Sequence, residues 1–150
     1  MAVMRTRKGA SLRREGHKSV VQAFYDQWNS GTIDFERLID RDIANHQPDR
    51  APERGLDTFR KAIGGVMRAV PDSDWTTLRL VEEDDFVVCH NRWSGTYRGH
   101  VFRGVPTPDG FRFSTEHVHI YRVAGNRIAE HWVVRDDLGD AAPDRRDRCE

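Results

Sequence analysis

A chain of 150 residues in which 24 Lys and Arg balance 24 Asp and Glu fits one domain, burying about 68–70% of the surface its unfolded form exposes. It has no net field to draw in a polyanion, and no run approaches the roughly 18 apolar residues that would span a bilayer, so neither nucleic acid nor a membrane is an expected partner. Hydrophobic residues reach only 37% against 32% charged, so the core must be concentrated in a few strongly patterned segments.

Residues 1–17 contain Arg5, Arg7, Lys8, Arg13 and Arg14 with little that is apolar and read as a basic tail. Because Arg13-Arg14 follows at once on Ala10-Ser11-Leu12, a secretion signal is not supported, and a soluble, cytoplasmic protein is expected. From Lys18 to Asn29, Val20 or Val21, Phe24 and Trp28 recur at helical spacing, and Ser30-Gly31 stops the run. Asp34 can cap a short second helix carrying Phe35, Leu38 and Ile39. A third helix has Asp57-Thr58 as its cap, a stripe of Phe59, Ile63, Val66 and Val70, and Pro71-Asp72 as its stop.

Beyond Asp74 the period falls to two, with Leu78 and Leu80, then Phe86, Val88, His90 and Arg92 against Val87, Cys89, Asn91 and Trp93. A turn-rich stretch from Gly104 to Gly110 leads into Phe111 to Val123 and a partner run from Arg127 to Asp137. Gly125-Asn126 between them predicts a β-hairpin with a two-residue turn. If Ala124 pairs with Arg127, then Tyr121 faces Glu130, His119 faces Trp132, His117 faces Val134 and Thr115 faces Asp136, all on one side. That side carries too many proton-transfer groups for ordinary core. Helices first and antiparallel strands after predict an α+β domain over residues 18–139, with 140–150 a charged tail. Cys89 lies in a predicted strand and Cys149 in that tail, with neither CxxC nor zinc-ligand spacing.

The strings GTYRGHVFRGVPTPDG (Gly95 to Gly110), HIYRVAGNRIAEHW (His119 to Trp132) and Asp136-Asp137-Leu138-Gly139, with NHQPDRAPERG (Asn45 to Gly55) and VPDSDW (Val70 to Trp75) upstream, resemble the SnoaL-type polyketide cyclase family over roughly residues 20 to 139. The resemblance implies a nuclear transport factor 2-like cone, with helices packed on a curved antiparallel sheet around an apolar pocket, assembled as a homodimer or homotetramer through the sheet. It implies an intramolecular aldol condensation that closes a ring of an apolar, carbonyl-bearing small molecule, with no metal and no organic cofactor. Dehydratases, isomerases, epoxide hydrolases, hydroxylase-like relatives and non-catalytic binding proteins share this fold, so function must be argued from the site. The chain departs from the family pattern in having Val133 after the HW tryptophan and in running from Gly139 into Asp140-Ala141-Ala142-Pro143, which leaves the substrate open.

By that resemblance the acid/base is the acidic residue four positions after the HW tryptophan, Asp136. A carboxylate in an apolar cavity has a raised pKa and becomes a better base near neutral pH. His117 and His119 share its predicted face and could assist, as donors to an enolate or as proton carriers. A metal pair is the weaker reading of the two histidines, for want of a third ligand with a spacing signature. Asn45, His46 and His90 are substrate-binding candidates, with Trp132, Tyr25 and Trp28 as cavity walls. For each, ordinary turn or core service is the competing reading. His131 is expected opposite Asp136, supporting either the subunit interface or the groups behind the site, and Asp137 at the surface.

Overall fold

The computed structural model describes residues 16–48 and 50–136. Most of the basic N-terminal tail, Asp137, and the C-terminal tail with Cys149 lie outside the described residues. The first helix, α1 (His17–Ser30), ends on Gly31 at φ 79°, the left-handed stop that a glycine takes without strain. It buries Val21, Phe24, Tyr25 and Trp28 at helical spacing. One turn of helix, α2 (Phe35–Leu38), is capped by Asp34, whose Oδ1 accepts from the Arg37 amide at 3.2 Å. Then α3 (Leu56–Ala69) starts from Gly55 at φ 95° with no side-chain cap, not from Asp57-Thr58.

Between α2 and α3 the chain forms β1 (Ile39–His46) and β2 (Glu53–Arg54). The sheet is completed by β3 (Asp74–Glu83), β4 (Phe86–Thr96), β7 (Arg112–Ala124) and β8 (Arg127–Val134), in the order β2-β1-β8-β7-β4-β3. The short hairpin β5 (Val101–Phe102) and β6 (Val105–Pro106) stands apart from it. The result is the expected α+β arrangement of helices on a curved sheet, with one correction. Because β1 runs parallel to β8, the sheet is mixed rather than purely antiparallel. Among the described residues no helix is long and apolar enough to cross a membrane.

Alternation on the long strands separates two faces. Val87, Cys89, Asn91 and Trp93 of β4 and His117, His119, Tyr121 and Val123 of β7 point inward and are buried. Val88 and His90, with Val118 and Ile120, point outward. Trp75 of β3 stacks on Trp93 at 5.1 Å and meets Tyr25 and Trp28 of α1, which joins helix and sheet into one aromatic core.

The β7–β8 hairpin has the expected turn, with Gly125 at φ 56° and Asn126 at φ 61° and Ala124 opposite Arg127. Its ladder is not regular. Val123 faces Ile128, but Arg122 then faces Glu130, so Ala129 is an extra residue in a β-bulge. Every position beyond it is offset by one from the expected register. Tyr121 faces His131, Ile120 faces Trp132 and His119 faces Val133. A one-residue slip turns each downstream side chain to the other face, so His131 points inward and Trp132 outward, the reverse of the sequence expectation.

Candidate active site

A cavity of about 500 Å³ opens between α1, α3 and the inner face of the sheet. Its apolar wall comes from Phe24, Tyr25 and Trp28 of α1, Phe59, Ile63 and Val66 of α3, Trp75 of β3 and Val133 of β8. Its polar wall comes from Asn45 on β1, His119 and Tyr121 on β7, and His131 on β8, with Gln47 and Arg135 just beyond the strands. Arg50, Glu53, Lys61 and Arg103 also line it. Parallel pairing sets Asn45 beside His131, and antiparallel pairing sets His131 beside Tyr121. Three strands thus bring these groups to one spot.

The polar wall is one connected system. His119 Nδ1 lies 2.9 Å from His131 Nε2, and His131 Nδ1 lies 2.8 Å from Asn45 Oδ1. Gln47 Nε2 donates to the same Asn45 oxygen at 3.1 Å, and Arg135 Nη1 donates to Gln47 Oε1 at 2.6 Å. The His119 ring stacks against His131 at 5.2 Å and Tyr121 at 6.1 Å and meets the edge of Trp75 at 5.3 Å. Its other nitrogen, Nε2, is buried with no hydrogen-bond partner. Buried polar atoms without partners are few in folded proteins and ask for an explanation.

Burial sets the protonation states. It pushes the His119 pKa well below the ordinary imidazole range, and His131, His117, Arg103 and Arg135 push the same way. Burial likewise takes His131 down to about 3, with Arg135 and His46 adding to it. Both rings are therefore neutral at pH 7. Close by, Tyr25 and Tyr121 share a hydroxyl contact of 2.5 Å. Burial raises both phenols, with Tyr121 the next cause for Tyr25, so both stay protonated and can donate. Burial takes the Cys89 thiol up to about 11, so it is not a thiolate nucleophile at neutral pH.

The sequence-derived candidates divide sharply. Asn45, His119, Tyr25 and Trp28 line the cavity. His117 lies buried one inward position further along β7, between Trp75 and Trp93 and 3.4 Å from Thr115 Oγ1, and does not line it. His90 is on the outer face, with Nε2 2.8 Å from Glu116 and Nδ1 3.2 Å from Arg79 Nη1. His46 and Trp132 stack on each other at 4.6 Å on that same face, where the bulge and the β1–β8 register put them. Asp136 follows the end of β8, is exposed, and does not line the cavity. Continuing the observed register sets it opposite Glu116, on the outer side, rather than beside Thr115.

His131, Tyr121 and Gln47 line the cavity and were not among the site residues selected from the sequence. A signal for His131 was present, since Ile128 and Val133 are both buried yet lie an odd number of residues apart, which alternation forbids unless one residue is extra. Among the described residues no three of His, Cys, Asp and Glu gather as a metal-ligand set.

The sequence profile of the SnoaL-like polyketide cyclases matches residues 18–142. Among solved structures, TsrD from Streptomyces laurentii is 28% identical, with a TM-score of 0.70 over 85% of this chain and 93% of that one. IdmH from Streptomyces antibioticus, described as a candidate polyketide cyclase, is 26% identical, with a TM-score of 0.67 over 82% and 94%. A SnoaL-like polyketide cyclase candidate from Jannaschia sp. CCS1, at 17% identity and a TM-score of 0.73 over 85% and 92%, shares the fold. No curated protein sequence matches at a significant level. With five-sixths of its length under the family profile and this helix-on-sheet cavity, the chain belongs to the SnoaL-like polyketide cyclase family.

Proposed function

We propose that this protein is a cyclase-type enzyme that uses side-chain acid/base chemistry to close a ring, by intramolecular aldol addition, in an apolar small molecule bearing carbonyl groups. His119 takes the place that the sequence suggested for Asp136. The observation that carries this reading is the bare, buried Nε2 of His119 on a cavity-lining, neutral imidazole. Such a nitrogen can remove a proton from a carbon next to a carbonyl. Two further features support the reading. The Tyr25–Tyr121 pair supplies protonated hydroxyls for the carbonyl that becomes a hydroxyl. The indole nitrogens of Trp28 and Trp75, on the apolar wall, are buried donors without partners, as a carbonyl-rich ligand would use.

The base can be tested without the natural substrate. In D₂O the protein should catalyse deuterium uptake at the acidic carbon of 2-tetralone, followed by proton NMR, and H119Q should slow it by at least about 10²-fold. Equal exchange by wild type and H119Q would remove His119 from the mechanism. With a polyketone ester as substrate, a product of unchanged mass marks ring closure. Loss of water or gain of oxygen would mark a dehydratase or hydroxylase-like relative. The outer sheet face, with Phe86 40% and Val134 66% exposed beside Trp132 and Ile120, is the surface we assign to a second copy of the chain. A monomeric mass by light scattering at micromolar concentration would refute that pairing.

A further inference from the structure

The hydrogen bonds of the polar wall have a direction, and it can be worked out from one end. Arginine has only donors. The atom of Gln47 that meets Arg135 Nη1 must therefore be the carbonyl oxygen, which turns the amide nitrogen of Gln47 toward Asn45. Asn45 must meet that nitrogen with its own oxygen. The same oxygen faces His131 Nδ1 at 2.8 Å, so Nδ1 carries the proton. In a neutral imidazole the other nitrogen is then an acceptor. His131 Nε2 thus accepts from His119 Nδ1 at 2.9 Å, and His119 Nε2 holds a lone pair and no proton. The amide orientations and both histidine tautomers, which coordinates alone leave as alternatives, follow from a single guanidinium.

We infer that Arg135, Gln47, Asn45 and His131 form a one-way hydrogen-bond chain that locks His119 in its Nδ1–H tautomer and keeps Nε2 a bare acceptor. None of the four needs to touch the substrate to act in this way. They are positioning residues, and the acceptor they fix is the atom assigned above as the base, so the inference deepens that reading and rests on it for its catalytic meaning. Side chains from its own strand and from the adjacent one hold the ring in place. Tyr121 stacks on it from β7, and His131 stacks on it from β8 as well as bonding to it. A His119 ring with its proton on Nε2 would face His131 Nε2 with a second lone pair and lose the 2.9 Å bond.

The chain makes a demanding prediction for one isosteric change at its far end. In Q47E the new carboxylate still accepts from Arg135 but has nothing to donate to Asn45. The Asn45 amide must turn its nitrogen outward, toward both the carboxylate and His131 Nδ1. His131 then carries its proton on Nε2, donates to His119 Nδ1, and leaves the proton of His119 on Nε2. The base becomes a donor although His119 itself is unchanged. N45D is the contrasting variant, since a carboxylate at that position still accepts from both neighbours and keeps the direction.

The experiment is nitrogen-15 NMR of the histidine side chains in the full-length, labelled protein at pH 7.5, with His119 assigned through loss of its signals in H119Q. Wild type and N45D should show His119 Nε2 as a pyridine-type nitrogen, and Q47E should show it as pyrrole-type, with 2-tetralone exchange falling at least about 10²-fold. A pyrrole-type Nε2 in wild type overturns the inference, and so does a pyridine-type Nε2 in folded Q47E. The two readings separate cleanly. A pyridine-type Nε2 in a protein whose H119Q variant still exchanges at the wild-type rate would leave the chain standing and refute the base.

Discussion

Two neutral, buried imidazoles make this fold sensitive to acid. His119 and His131 are 8% and 7% exposed. Both have folded-state pKa values depressed below the ordinary 6.5, that of His131 to about 3. The unfolded chain therefore binds protons that the folded chain refuses. The stability this contributes is fully present above pH 6.5 and is lost as the pH falls from there toward 3. At pH 5 protonation of the unfolded form favours unfolding by about 2 kcal/mol for His131, whose folded value is about 3, and His119 acts in the same direction. The His131 part alone is a sizeable share of the roughly 5–15 kcal/mol that holds a domain together.

Urea midpoints measured at pH 7.5, 6 and 5 should fall accordingly. H131F, which keeps a ring in the stack but cannot titrate, should lose stability overall while showing a shallower pH slope than wild type. A wild-type stability that is flat between pH 7.5 and 5, or a slope unchanged in H131F, would refute neutral burial of the pair.

Removing a donor should tell on rate more than on fold. Y121F leaves the Tyr25 hydroxyl without its 2.5 Å partner and is expected to slow 2-tetralone exchange by about 10²-fold, with its thermal midpoint read alongside by circular dichroism. D136N, at an exposed position away from the cavity, should leave exchange essentially unchanged, and a 10²-fold loss there would restore the carboxylate mechanism. G95A should cost about 1–3 kcal/mol in urea titration, because a methyl group at Gly95 would collide with the fully buried Val70 Cγ1.

The sequence made some of this architecture legible and concealed the rest for identifiable reasons. Helical spacing of Phe24 and Trp28 with the Gly31 stop located α1, and Gly125-Asn126 located the hairpin turn, because each is a local rule that tertiary packing had no reason to override. Strand β1 was missed. Its residues Ile43, Ala44 and Asn45 are consecutive buried positions with no alternation of exposure, as befits a strand beside a bulged, parallel neighbour rather than in a regular ribbon. Asn45 was reached through a family landmark instead. His90 was taken from the outer side of β4 and His117 stops short of the cavity, but the larger misreading of the site has one origin, the unpaired Ala129. It carried Asp136, Trp132 and His131 to the wrong faces together, because a register error is never confined to one residue. Residues on β7, which precede the bulge in the pairing, kept their predicted sides, and so His119 was correctly placed among the inward-facing groups.

That extra residue also gives the last strand a one-sided tolerance to changes in length. Losing a single amino acid near Ala129 can be absorbed by annealing the ladder, because the pairs Val123–Ile128 and Arg122–Glu130 would then be simply consecutive and His131 would keep its orientation. Gaining one there offers no such repair, since the surplus must either widen the kink or rotate the whole downstream segment by half a turn. Shortened variants should therefore outlive lengthened ones in this stretch, and the imidazole wall should be preserved by the former and dismantled by the latter.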